Sequence, residues 1–145
     1  MSAAAATTGY SGTPLAQKLG LKDGQRVLWL DLPRELRELR KARAFAESAE
    51  AGWDDLAHRR GYDLIHGFTA SRAVLAGAAR TLMDSIARDG CVWVSWPKKA
   101  SKVATDITED VIREIVLPIG LVDVKVAAVS EIWSGLKLVI RKELR

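Results

Sequence analysis

A chain of 145 residues, 48% hydrophobic and 28% charged, has the composition of an ordinary globular domain, long enough to bury roughly 70% of the surface its unfolded form exposes. Its apolar runs stop well short of the ~20 residues a membrane span needs. A single cysteine, Cys91, excludes an internal disulfide and a multi-cysteine metal cluster. The net charge of +4, from 22 basic and 18 acidic residues, permits an anionic partner without requiring one.

Residues 1–8 are rich in Ala, Ser and Thr and lack the basic and apolar stretches of a secretory leader. The expectation is a disordered tail over 1–9, a single domain over 10–145 and a cytoplasmic location. Thr13 suits a helix N-cap, Pro14 the first helical position and Gly20 the left-handed residue that stops the helix. After a turn at Lys22-Asp23-Gly24-Gln25, residues 26–31 form an almost continuously apolar strand, as expected where both faces are covered. Pro33 restarts the chain as a helix. Leu36, Leu39, Ala42, Ala46 and Ala49 recur every three or four residues, Arg34 to Arg43 supply a charged face, and Gly52 is the stop.

Residues 53–60 read as irregular or as a short helical turn, and 62–69 as the second strand. Ser71 caps the next helix, whose inward stripe is Leu75, Ala78/Ala79, Leu82 and Ile86. Asp89-Gly90 ends it before a strand over 91–96. Asp106 or Thr108 then caps a helix with Val111, Ile112, Ile115, Val116 and Ile119 inward, and Asp106 with Glu109 fits a capping box. Strands over 122–129 and 136–142 follow, joined by a loop over 130–135 that is short enough for an antiparallel hairpin. Strands alternating with helices define an α/β, Rossmann-like three-layer domain. Its sheet of about five strands is mostly parallel, with one antiparallel strand from the C-terminal hairpin.

Chemistry concentrates where the strand over 91–96 opens into Pro97-Lys98-Lys99-Ala100-Ser101-Lys102. This loop lies past the C-terminal end of a parallel strand, where open α/β sheets bind ligands. Lys98, Lys99 and Lys102, with the hydroxyls of Ser101 and Thr105, have the chemistry to grip an anion. Trp96 and Trp133 are the aromatic candidates for stacking beside them, whereas Trp29 and Trp93 belong to the core. Asp31, at the end of the first strand, and Ser95 complete the candidate set. His58 and His66 do not suggest a shared metal or an acid–base pair. Cys91 has no evident base beside it, and no Walker loop, nucleophile elbow or zinc spacing is present. The Arg34 to Arg43 stretch, with Arg34/Glu38 and Glu38/Lys41 pairs, reads as a salt-bridged solvent face.

Two resemblances arise from these residues. Tyr10-Ser11-Gly12-Thr13-Pro14-Leu15-Ala16 with Lys18-Leu19-Gly20, Val94-Ser95-Trp96-Pro97-Lys98-Lys99, Thr105-Asp106 with Glu109-Asp110-Val111, and Trp133-Ser134-Gly135-Leu136-Lys137 together resemble a bacterial family of short uncharacterised proteins. That resemblance brings no activity with it. The element order over residues 21–142 resembles the class I methyltransferase fold, which also closes with a reversed final hairpin. That family implies an S-adenosylmethionine site with a glycine-rich turn after the first strand and an acid at the end of the second. Here Leu30-Asp31-Leu32-Pro33-Arg34 has an Asp but no Gly-x-Gly, Pro33 removes an N–H, and residues 33–61 show no evident extra strands.

The expectation is therefore a non-catalytic domain without a bound cofactor, binding an anionic small molecule or a partner protein beside the lysine loop. A methyltransferase with an atypical S-adenosylmethionine pocket, built from Asp31, Thr69 and Ser95, is one alternative. A nucleic-acid-binding protein using the lysine loop and the Arg34 to Arg43 stretch is the other.

Overall fold

The apolar strands demand cover on both faces, and the chain supplies it unequally. A computed structural model describes residues 14–145, so the Thr13 cap and the Tyr10-Ser11-Gly12 segment lie outside the described residues. Six strands form one sheet in the order β2-β1-β3-β4-β6-β5. These are β1 (Arg26–Leu30), β2 (Glu47–Ala51), β3 (Tyr62–Phe68), β4 (Ile86–Pro97), β5 (Leu121–Ala128) and β6 (Trp133–Ile140). β1 to β4 pair in parallel, and β6 runs antiparallel to both β4 and β5.

One face is covered by α1 (Leu15–Lys18) and a 3₁₀ helix over Arg34–Lys41, which bury Leu15, Leu19, Leu36 and Leu39 against Trp29, Phe68 and Trp93. The other is covered by α2 (Arg72–Ser85) and α3 (Glu109–Val116), which bring Leu75, Leu82, Ile112 and Val116 onto Leu28, Ile65, Val92 and Leu138. Each fully buried leucine or isoleucine contributes roughly 1.5–3 kcal/mol of transfer free energy.

Local signals account for most boundaries. Ser71 Oγ accepts from Val74 N–H at the start of α2, and Thr108 Oγ1 accepts from Val111 N–H at the start of α3. Gly20, at φ +74, closes α1 in a Schellman pattern: its N–H reaches Gln17 O while Leu21 N–H reaches Ala16 O.

Four expectations change. The helix expected to reach Asp89-Gly90 ends at Ser85, and Ile86, expected on its inward stripe, opens β4. The helix expected from Pro33 to Gly52 is a 3₁₀ helix over Arg34–Lys41, followed by an additional strand, β2. Leu36, Leu39 and Ala42 recur every three residues, which is the 3₁₀ period. The stretch Glu-Ser-Ala-Glu-Ala then satisfies the open edge of β1, overriding its own helical preference. The capping box also fails to form: Asp106 Oδ1 accepts Arg72 N–H at 2.6 Å, at the start of α2. Trp133, placed by the sequence in a loop, begins β6 opposite Pro97, so the hairpin loop covers only residues 129–132.

Candidate functional site

The C-terminal ends of β1, β2, β3 and β4 lie along one edge of the sheet. The strand order reverses between β1 and β3, because the chain leaves β1 toward β2 on one side and returns to β3 on the other. In open α/β sheets this reversal opens the ligand crevice.

On the β4 side the lysine loop is built from its own bonds. Residues Lys99–Ser101 form a 3₁₀ turn, closed by Lys102 in the left-handed region at φ +62. Ser101 Oγ donates to Lys98 O at 2.6 Å and accepts from Val103 N–H. Thr105 Oγ1 donates to Ala70 O and accepts from Ile107 N–H. Lys98 N–H donates to Ile132 O at 2.6 Å, tying the loop to the β5–β6 hairpin. Both hydroxyls proposed as ligand contacts thus have structural bonds, while Lys99 and Lys102 are exposed and Lys98 is half-buried. Val103 and Ile132, exposed at 46% and 37%, flank the lysines.

The other predicted residues divide. Ser95 is fully buried, and its Oγ lies 2.7 Å from His66 Nε2. Trp96 belongs to the core beneath α2 and α3. Trp133 packs edge-on against Phe68, with centroids 5.4 Å apart, on the opposite face. Asp31 sits at the end of β1, separated from β4 by β3 and so roughly 10 Å from the lysine loop at one strand spacing per step. Although Asp31 is exposed overall, partial burial of its carboxyl and the nearby Asp54 hold it above the usual carboxylate range. The structure holds Lys98, Lys99, Ser101 and Lys102 in one turn, bonds Thr105 to Ala70, pairs Trp133 with Pro97 at the end of β4, and leaves Asp31 on another strand.

Trp53 is the residue that sequence reasoning missed. It follows β2 directly, and its indole N–H donates to Phe68 O, at the end of β3, at 2.9 Å. Its ring lies so close to Gly67 that a Cβ there would stand 2.5 Å from Cη2 and Cζ2. The available signal was Gly67 itself, since a glycine inside a strand marks close approach by another group. The Arg34–Lys41 basic residues lie elsewhere. Arg37 and Arg40 both reach Glu50 of β2, and Arg40 also donates to Ser48 O. Among the described residues no cluster of His, Cys, Asp or Glu fits a metal ion, and no helix is long and apolar enough to cross a membrane.

Comparison with solved structures identifies the architecture: the chain has the Rossmann-like fold of S-adenosylmethionine-dependent methyltransferases. Over 87% of both chains it superposes on such an enzyme from Aquifex aeolicus, with a TM-score of 0.65 and 13% identity. A TehB-like methyltransferase from Corynebacterium glutamicum gives a TM-score of 0.60 at 12% identity, over 88% of this chain and 85% of that one. Magnesium protoporphyrin IX methyltransferase from Synechocystis, solved with S-adenosylmethionine bound, gives 0.60 at 15%, over 88% and 74%. No protein-family model and no curated protein sequence matches the chain. At these identities the likeness defines the fold alone.

The residues here do not fit that cofactor. The turn after β1 offers Asp31 in a left-handed conformation, a buried Leu32 and Pro33 without an N–H, in place of glycines whose amides approach a ligand. An indole already stands against the end of β3.

Proposed function

We propose that this chain is a non-catalytic domain of methyltransferase-like fold that binds an anionic group, on a small molecule or an acidic partner protein, at its lysine loop. The observation that carries this reading is the loop's construction. Its Ser101 hydroxyl and the amides of Lys98, Ser101, Lys102 and Val103 hold its shape, and Lys99 and Lys102 are exposed past the C-terminal end of β4. A preformed loop loses little conformational entropy on binding. The exposed Val103 and Ile132 widen the surface for a protein partner. Asp31 and Asp54 repel an anion from the β1 side, which directs it toward β4. The nucleic-acid reading gains nothing from Arg37 and Arg40, which are engaged with β2.

Lys102 supplies a clean test. A lysine at φ +62 is strained where glycine is not. Lys102→Gly should therefore keep or raise thermal stability, by up to about 1 kcal/mol, while weakening binding of pyrophosphate or an acidic peptide roughly five- to tenfold in calorimetric titration. Lys99→Ala should weaken it similarly without unfolding the protein. Unchanged affinity in the Lys99→Ala/Lys102→Gly double variant contradicts the reading.

A further inference from the structure

We propose that Trp53 is the chain's own occupant of the ligand crevice: its indole fills the space at the β1/β3 reversal where this fold would otherwise hold the flat ring of a cofactor. This rests on contacts at the ends of β1 to β3 and is independent of what the lysine loop binds.

Three features make the indole a resident rather than a surface side chain. Its N–H is satisfied by the last carbonyl of β3, Phe68 O, the kind of strand-end group that a bound heterocycle would use. Its ring edge meets backbone, because Gly67 has no side chain to keep it away. Glycine inside a strand costs roughly 0.5–1 kcal/mol relative to alanine, and here that cost accommodates Trp53. Its apolar body packs on the cluster containing Leu28, Leu30, Leu56 and Ile65, beneath α2. Gly67 pairs with Leu30 of β1 on one side and Val94 of β4 on the other, so the ring stands over β3 with a paired strand on either side.

The surroundings support occupation from within. Asp31 and Asp54 approach each other beside Gly52, where a Cβ would lie 3.7 Å and 2.9 Å from their Oδ1 atoms. This acidic rim, next to a turn that has lost its amide donors at Pro33, suits neither a phosphate nor a carboxylate. What remains is a slot for a bicyclic aromatic carrying one N–H donor, and the chain fills it. Beyond the indole, between residues 53–57 and α2, a groove of about 310 Å³ is lined by Ala57, Ala73, Gly77 and Ala78. Small side chains there leave room for the ring's outer face without closing over it.

Removing the ring should therefore create a slot of known shape. The 145-residue chain and its Trp53→Gly variant are titrated with indole, N-methylindole, adenosine and S-adenosylmethionine, followed by thermal unfolding and calorimetry. The wild type should show no saturable binding of adenosine or S-adenosylmethionine at millimolar concentration. Trp53→Gly should unfold several degrees lower and regain part of the loss with indole, less with N-methylindole, which cannot donate to Phe68 O. Saturable wild-type binding of S-adenosylmethionine, or a folded Trp53→Gly that indole does not stabilise, overturns the proposal. Should Trp53→Gly fail to fold, Gly67→Ala decides. Its Cβ must expel the indole, red-shifting Trp53 fluorescence relative to a Trp53→Phe control, and an unshifted spectrum overturns the proposal equally.

Discussion

At position 66 an imidazole is sealed between aromatic rings, stacked on Phe68 at 4.2 Å and flanked by Trp29 and Trp93. Nε2 meets Ser95 Oγ, and Nδ1 has no hydrogen-bond partner among the described residues. A bare lone pair costs less than an orphaned N–H, so the proton belongs on Nε2. Burial pushes the imidazole down from 6.5 to about 3, because the cation has no solvation there. The unfolded chain takes up this proton below pH 6.5 and the folded chain does not. Stability from this residue is thus complete above pH 6.5 and falls by about 1.4 kcal/mol per pH unit toward pH 3. Urea unfolding at pH 7 and pH 5 should show the wild type losing roughly 2 kcal/mol more than His66→Gln. Equal losses would contradict the buried neutral imidazole. Cys91 follows the same physics, since burial pushes its thiol up to about 11 and suppresses the reactive thiolate. The sequence showed no base beside Cys91 to activate it, but the partnership of His66 with Ser95 joins two strands and has no local signature.

Elements were legible where a single residue decides a terminus. The Ser71 cap and the Gly20 stop are local chemistry, and they are where the sequence puts them, while Thr108 takes the cap that the sequence left between it and Asp106. β2 was not legible, because what makes Glu-Ser-Ala-Glu-Ala a strand is the unpaired edge of β1, not its own composition. Ser48 fastens it. Its Oγ accepts the indole N–H of the fully buried Trp29 and donates to Arg40 O, linking β2, β1 and the 3₁₀ helix. Ser48→Ala should leave that buried N–H unsatisfied and cost about 1–3 kcal/mol in chemical denaturation. A loss within a few tenths would mean that β2 is held by backbone pairing alone. Trp133 was misplaced for a related reason: a strand may begin on Trp-Ser-Gly when Gly135 is needed against Trp93, Ser95 and Val129.

At the scale of the molecule, the methyltransferase-like architecture is present, with six strands and a reversed β6. The turn after β1 is Asp31, Leu32 and Pro33, and the Trp53 indole stands against Gly67 and Phe68 O at the end of β3. The lysine loop was visible from sequence because Lys98, Lys99 and Lys102 fall close together along the chain. The bond that ties it to Ile132, and the contacts of Trp53 with Gly67 and Phe68, join distant parts of the chain and have no local signature. We propose that binding takes place at the loop after β4 and not in the β1/β3 crevice. A ¹⁵N–¹H correlation titration of the wild-type protein tests it most directly, with the Trp53 indole resonance assigned through Trp53→Phe. Pyrophosphate should shift the amides of residues 98–103 and Ile132, and S-adenosylmethionine should leave the Trp53 indole resonance in place. A saturable shift of that resonance and of the amides at 31, 32 and 34 with S-adenosylmethionine, over an unmoved lysine loop, would contradict the account.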